Sequence, residues 1–134
     1  AVGPGGPAPE AGTPVRPYQE LTIVLVSPPG ITRDILLSIL QSLPGAIVFD
    51  VDGSVCACNY LEVNHADAVL IDARIPLQER LALIGRLKRD CPTVRVVVLV
   101  STSREREVAQ DTQADAVLPS DSFPEELASA LRGM

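Results

Sequence analysis

Five short runs of aliphatic residues punctuate this chain: LTIVLVS (21–27), AIVFDV (46–51), DAVLID (67–72), TVRVVVLV (93–100) and DAVL (115–118). A strand wetted on one face alternates apolar with polar residues, whereas a continuous run fits a strand covered on both faces. The stretches between the runs carry helical spacing. Ile31, Ile35, Leu36, Ile39, Leu40 and Leu43 fall on one stripe, and Pro44-Gly45 ends that helix. Residues 54–65 predict a short, weakly patterned helix. Residues 77–90 predict another, with Leu77, Leu81, Ile84 and Leu87 or their neighbours inward, stopped at Cys91-Pro92. Thr102 and Glu105 have capping-box spacing for a polar helix to about residue 113. Ser122 to Glu125 predicts the cap of a last helix through Leu131, with Pro124 in its first turn.

Strands alternating with helices predict an α/β fold, (βα)5, with a doubly wound parallel sheet and right-handed crossovers. Five strands fit the flavodoxin-like order 2-1-3-4-5, with a functional crevice at the carboxyl ends of strands 1, 3 and 4. One domain fits 134 residues. Residues 1–19 are dense in Pro and Gly and predict a disordered tail or linker; residues 20–134 form the domain. With aromatics at 3% and no Trp, the core must be built from Val, Ile, Leu and Ala. A net charge of −6 argues against a nucleic-acid surface on this chain, though not against a DNA-binding domain elsewhere in a longer protein. No apolar run reaches membrane-span length and no signal-peptide pattern opens the sequence. Three cysteines in a chain of this size read as reduced, so the sequence predicts a cytoplasmic protein.

The stretch FDVDGS (49–54) resembles the nucleophile motif of haloacid-dehalogenase-type phosphatases, which would make Asp50 the nucleophile and Asp52 its acid/base partner. That family also needs a hydroxyl, a basic residue and a distal acidic pair. Ser101 and Thr102 could imitate the first. Lys88 precedes the relevant strand, and Arg104 and Arg106 lie in a helix beyond it. Asp115 and Asp121 make a poor acidic pair. The predicted strand order also puts the motif on a sheet edge. The competing account is a polar turn, where Asp and Gly are common.

Residues 21–131 as a whole resemble the receiver domain of two-component response regulators. DAVLIDARIP (67–76) matches the third strand of that family, with Asp72 at the phospho-acceptor position and Pro76 in the turn behind it. VDGSV (51–55) matches the turn after the second strand, RVVVLVSTS (95–103) the fourth strand and its hydroxyl, and ADAVLPSDSFPEELASAL (114–131) the fifth strand and last helix.

The resemblance implies an acidic pair after strand 1 for Mg²⁺, a hydroxyl after strand 4 and a Lys after strand 5. This chain has Ser27-Pro28 in place of the acidic pair, Ser120 in place of the Lys, and Val117 at the strand-5 aromatic position. Ser27, Ser101, Thr102 and Ser120 would form a residual pocket around Asp72. No cofactor is implied, and Mg²⁺ binding is expected to be weak or absent. Cys56, Cys58, His65 and Cys91 do not have zinc-site spacing, so no metal centre is predicted.

The sequence therefore predicts a degenerate receiver, a pseudo-receiver. It would be a non-enzymatic signalling and dimerisation module in a bacterial regulator, of transcription as one option, not phosphorylated by the usual Mg²⁺-dependent route. The alternatives are a phosphorylatable switch using Asp72, and the phosphatase using Asp50 and Asp52. A protein partner or second copy would dock on the fourth helix, fifth strand and fifth helix, with Arg104, Arg106, Val108 and Val117 on that surface. An output domain would lie outside this chain.

Overall fold

The apolar runs become strands because only a sheet covered on both faces can hide so many consecutive aliphatic side chains. The computed structural model describes residues 20–133; the predicted tail, residues 1–19, lies outside them. The elements are β1 (Leu21–Val26), α1 (Ile31–Gln41), β2 (Ala46–Val51), α2 (Ser54–Val63), β3 (Ala68–Ile71), α3 (Leu77–Asp90), β4 (Arg95–Val100), α4 (Ser103–Gln110), β5 (Ala116–Pro119) and α5 (Pro124–Arg132). All neighbouring strands pair in parallel, in the predicted order β2-β1-β3-β4-β5.

Strand alternation sorts the core into two layers. Ile23, Leu25, Leu70, Val97 and Leu99 pack beneath α1 and α5, against Leu36, Leu40, Leu127 and Leu131. Val24, Val26, Val69, Ile71, Val96 and Val98 face the other way, towards Ala57, Leu83, Ile84, Leu87 and Ala109 of α2, α3 and α4. Carboxylates fix the amino-terminal edge of the sheet. Asp67 accepts the Thr22 N–H at 2.8 Å. Asp115 accepts the Val96 N–H at 2.7 Å and pairs with Lys88 at 2.8 Å.

Several local expectations need correction. Ile31 and Ile35 are 77% and 54% exposed, and the buried stripe of α1 narrows to Leu36 and Leu40. The helix lies over the margin of the sheet, and among the described residues no strand lies beyond edge strand β2. The last helix is capped one residue later than predicted. Phe123 is its N-cap, Glu126 Oε1 accepts the Phe123 N–H at 3.0 Å, and Ser122 instead donates to the Pro119 carbonyl. Helix α4 ends at Gln110 rather than near residue 113.

These burials predict opposite outcomes for two residues of one helix. Leu40→Ala should cost about 2–5 kcal/mol in denaturant unfolding. Ile35→Ala should stay within about 0.5 kcal/mol of the wild type.

Candidate functional site

Parallel strands place the residues that follow them in a common crevice, and here Ser27 follows β1 and Asp72 follows β3. Both are buried, at 0% and 2% exposure. The Asp72 N–H continues the sheet ladder to the Val26 carbonyl at 2.9 Å, which fixes the acid beside Ser27. The Ser27 hydroxyl donates to Asp72 Oδ2 at 2.6 Å.

The partner absent from the sequence-based site is Arg74. Its backbone N–H donates to Asp72 Oδ1 at 3.1 Å, and its Nε–H donates to Asp72 Oδ2 at 3.1 Å. Its Nη2 reaches the Ser27 hydroxyl at 3.2 Å and the Pro28 carbonyl at 2.6 Å. One guanidinium thus spans the carboxylate, the hydroxyl and the β1–α1 loop, as its planar fork of donors allows. Gly30 makes room for it. A Cβ at Gly30 would stand 3.2 Å from Arg74 Nη1, and its φ of 143° is one that side chains disfavour.

The remaining predicted pocket residues do not join this cluster. Ser101 and Thr102 are exposed, and with Ser103, Arg106, Val100 and Pro119 they line a separate hollow of about 180 Å³. Thr102 is the N-cap of α4, accepting the Glu105 N–H at 3.1 Å. Glu105 does not reciprocate on Thr102 as a capping box would; its Oε1 accepts the Ser101 N–H at 2.9 Å. Ser120 is exposed and bonds through its backbone to the Val100 carbonyl. Arg104 and Arg106 are exposed, while Val108 and Val117 are half-buried, Val117 against the core.

The donor set does not fit the Mg²⁺ of a receiver. A hard divalent cation needs several oxygen ligands, preferably carboxylates. Among the described residues the Ser27–Asp72 cluster holds one carboxylate, and a guanidinium already lies on it.

A second arginine organises the neighbouring loops. Arg80, in the first turn of α3, is 1% exposed. Its Nε donates to the Ile75 carbonyl at 2.7 Å, its Nη1 to the Leu99 carbonyl at 2.8 Å, and its Nη2 lies 3.1 Å from Glu105 Oε1. It therefore ties the loop behind Asp72 to β4 and to α4. A polar residue within an amphipathic helix pattern reads as solvent-facing, so the sequence offered no sign of Arg80 beyond its place on α3.

The FDVDGS stretch adjoins the Ser27 side of the crevice: the Val51 carbonyl accepts the Ser27 N–H at 3.0 Å, and Arg33 Nη1 reaches the Ser27 carbonyl at 3.5 Å. Arg33 Nη1 lies 2.6 Å from Asp52 Oδ1 and 3.6 Å from Asp50 Oδ2. The Ser54 hydroxyl donates to Glu79 Oε2 at 2.9 Å, fastening the turn to α3. The motif lies on edge strand β2, as expected. His65 pairs with Asp67 at the opposite end of the sheet. Among the described residues, no group of three or more His, Cys, Asp or Glu is placed to hold a metal ion. No helix among them is long and apolar enough to cross a membrane.

The Ser101 N–H bond holds the Glu105 carboxyl below the usual range, with burial opposing and the Arg80 bond and charge assisting. A depressed carboxyl contributes stability above its unfolded pKa and loses it as pH falls through the folded value. Glu105→Gln should therefore be less stable than the wild type at neutral pH, by about 1–3 kcal/mol. The gap should close in unfolding curves taken at successively lower pH through the carboxylate range.

Neither a family model nor a curated protein matches this sequence. Solved structures do. The two-component response regulator RcsB, in complex with DNA, superposes with a TM-score of 0.74 at 18% identity, over 85% of this chain and 59% of that one. The chain thus spans under two thirds of the RcsB chain. The receiver domain of a sensor histidine kinase from Pseudomonas aeruginosa, solved with a magnesium ion in its active-site cleft, gives 0.74 at 21% identity, over 85% of this chain and 96% of that one. The signal receiver domain of an HD domain-containing protein from Pseudomonas fluorescens gives 0.73 at 20% identity, over 85% and 93%. With the strand order and helix placement above, these likenesses establish that the chain has the flavodoxin-like fold of response-regulator receiver domains.

Proposed function

We propose that this chain is a receiver of the pseudo-receiver type, a signalling interaction module whose Asp72 is not cycled by Mg²⁺-dependent phosphorylation. The observation that carries the reading is the Arg74 guanidinium lying across Asp72, Ser27 and the Pro28 carbonyl. Phosphoryl transfer to a carboxylate depends on a free oxygen in line with the donor and on cations that neutralise the moving phosphoryl group. Oδ2 of Asp72 already accepts from Ser27 and Arg74, Oδ1 accepts from the Arg74 backbone, and the side chain is 2% exposed. No second carboxylate follows β1, and the one lysine of the chain, Lys88, is paired with Asp115 at the far edge of the sheet.

In this reading the output is a surface held in one state. Arg80 and Glu105 fasten α4 to the loop behind Asp72, and α4 with β5 and α5 presents Arg104, Arg106 and the half-buried Val108 to a protein partner or second copy, while Val117 packs inward on the core. The RcsB likeness covers only part of that DNA-bound regulator. It supports a setting in a cytoplasmic bacterial regulator, with any DNA-binding output domain outside these residues. No catalytic role is part of the proposal: Asp50 and Asp52 share Arg33 on an edge strand.

Intact-mass spectrometry after incubation with acetyl phosphate and Mg²⁺ tests this. The wild type and Asp72→Ala should both keep their masses. A phosphoryl adduct on the wild type that vanishes in Asp72→Ala would overturn the proposal and make Asp72 a working acceptor.

A further inference from the structure

Edge strand β2 pairs with β1 along one side only. The Gly45 carbonyl just before it accepts the Leu21 N–H at 2.9 Å, and its own Val51 carbonyl accepts the Ser27 N–H at 3.0 Å. Backbone groups alternate sides along a strand, so Ile47, Phe49 and Val51 turn theirs to β1 and Ala46, Val48 and Asp50 turn theirs to the open edge. The Ala46 N–H is taken by the Leu43 carbonyl at 3.1 Å. The Ala46 carbonyl and both groups of Val48 and Asp50 remain, and no strand among the described residues pairs with them. Ile47 and Phe49 lie two apart on the α2 face, 38% and 42% exposed, with the Phe49 ring 5.5 Å from that of Tyr60. Sheet edges usually carry a lysine, a proline or a bulge that keeps other strands away. AIVFDV has none of these: its pairing with β1 runs without a break, and its one charge is Asp50.

We propose that β2 is a self-association surface, on which a second copy of this chain adds its own β2, antiparallel, across a two-fold axis at Val48, so that the two sheets become one. The surface lies at the opposite edge of the sheet from β5 and does not rest on the function proposed above. In this register Val48 meets the second copy's Val48 and the two exchange both backbone bonds. The Asp50 N–H donates to the second copy's Ala46 carbonyl, and the axis makes that bond twice. Ile47 falls opposite the second copy's Phe49 at a position without backbone bonds, where facing side chains approach most closely. An aromatic ring beside a β-branched side chain is a favourable cross-strand pair.

Charge selects both the occupant and the register. An axis one residue along, at Phe49, would set the two Asp50 side chains diagonally across the seam, where like charges repel. With the axis at Val48, each Asp50 lies opposite Ala46 and diagonal to Pro44 of the other copy. Asp50 alternates onto the face that Ala46 and Val48 share with α1 and α5, and there Arg132 of α5 donates to the Pro44 carbonyl. The exposed carboxylate of one copy therefore arrives beside the guanidinium of the other, at both ends of the seam. An unrelated strand would have to bring the apolar pair and the cation together, whereas a second copy of this chain carries both.

The test is residue-resolved amide hydrogen exchange on the whole chain over a dilution series up to millimolar, beside sedimentation equilibrium on the same samples. The expected result is a dimer at the concentrated end, with the Val48 and Asp50 amides slowing as the dimer forms. The Ile47 and Phe49 amides, which face β1, are protected in the monomer already. Ile47→Lys should weaken association by about tenfold, because the axis removes the Ile47–Phe49 pair twice. The proposal is overturned by a monomer throughout the series, or by a dimer in which Val48 and Asp50 exchange as they do in the monomer. Slow exchange of those two amides in the dilute monomer would overturn it as well, since the edge would then be covered within one chain. An Ile47→Lys variant that folds and associates like the wild type would do the same. Exchange in the wild type decides the matter by itself if that variant folds poorly.

Discussion

A carboxylate buried at the end of a central strand must be neutralised, and the upper rim of this sheet is arranged around that need. Asp72 follows β3, 2% exposed, between β1 and β4. An unpaired charge at that depth is costly, and the side chain that pairs with it stands at the rim, 36% exposed. Arg74 supplies the positive charge from two residues away, and Ser27 supplies a hydroxyl from β1. Other features serve the same contact. The Pro28 carbonyl anchors the far end of the guanidinium, and Gly30 leaves the space that it passes through.

The second arginine extends this arrangement outward. Arg80 binds two carbonyls and one carboxylate in the interior, and those partners belong to the loop behind Asp72, to β4 and to α4. A buried guanidinium with all three contacts satisfied tolerates few alternative placements of the groups around it. The loop that holds Arg74 and the helix at the proposed partner surface are therefore fixed to one another by a single side chain. With Arg74 on Asp72, the two arginines join the acid, the loop behind it, β4 and α4 through side-chain contacts.

The fold was legible because it rests on periodicity. The five aliphatic runs read as strands, and their alternation with helices left one strand order favoured; β1, β3 and β4 are buried on both faces, whereas edge strand β2 leaves Ile47 and Phe49 exposed. Positions set by tertiary placement were less legible. Ile31 and Ile35 carry the same hydrophobic signal as Leu36 and Leu40, but the sheet ends at β2, and sequence spacing does not mark where a sheet stops. Ser27 and Asp72 could be paired from motif spacing, and the structure brings them together. Ser101, Thr102 and Ser120 were grouped with them by the same reasoning, yet the structure turns them to a separate hollow, to a helix cap and to solvent. Arg74 was missed because a compensating cation was sought after the fifth strand, where receivers carry a lysine. The signal that could have found it is the arginine two residues past the acid, whose reach returns it to the carboxylate. Arg80 carries no such signal, since charged residues on helices mostly face water.

The central claim is that Arg74, rather than a divalent cation, neutralises Asp72. The most direct measurement is a ¹⁵N-resolved NMR titration of the protein with Mg²⁺, following the Arg74 Nε–H and the amides of Ser27, Asp72 and Arg74. The account predicts a resolved, exchange-protected Nε–H signal and no saturable shift in any of the four resonances as Mg²⁺ is added. Saturable shifts at Ser27 and Asp72, accompanied by loss of protection at the Arg74 Nε–H, would show the guanidinium giving way to the metal and would contradict it.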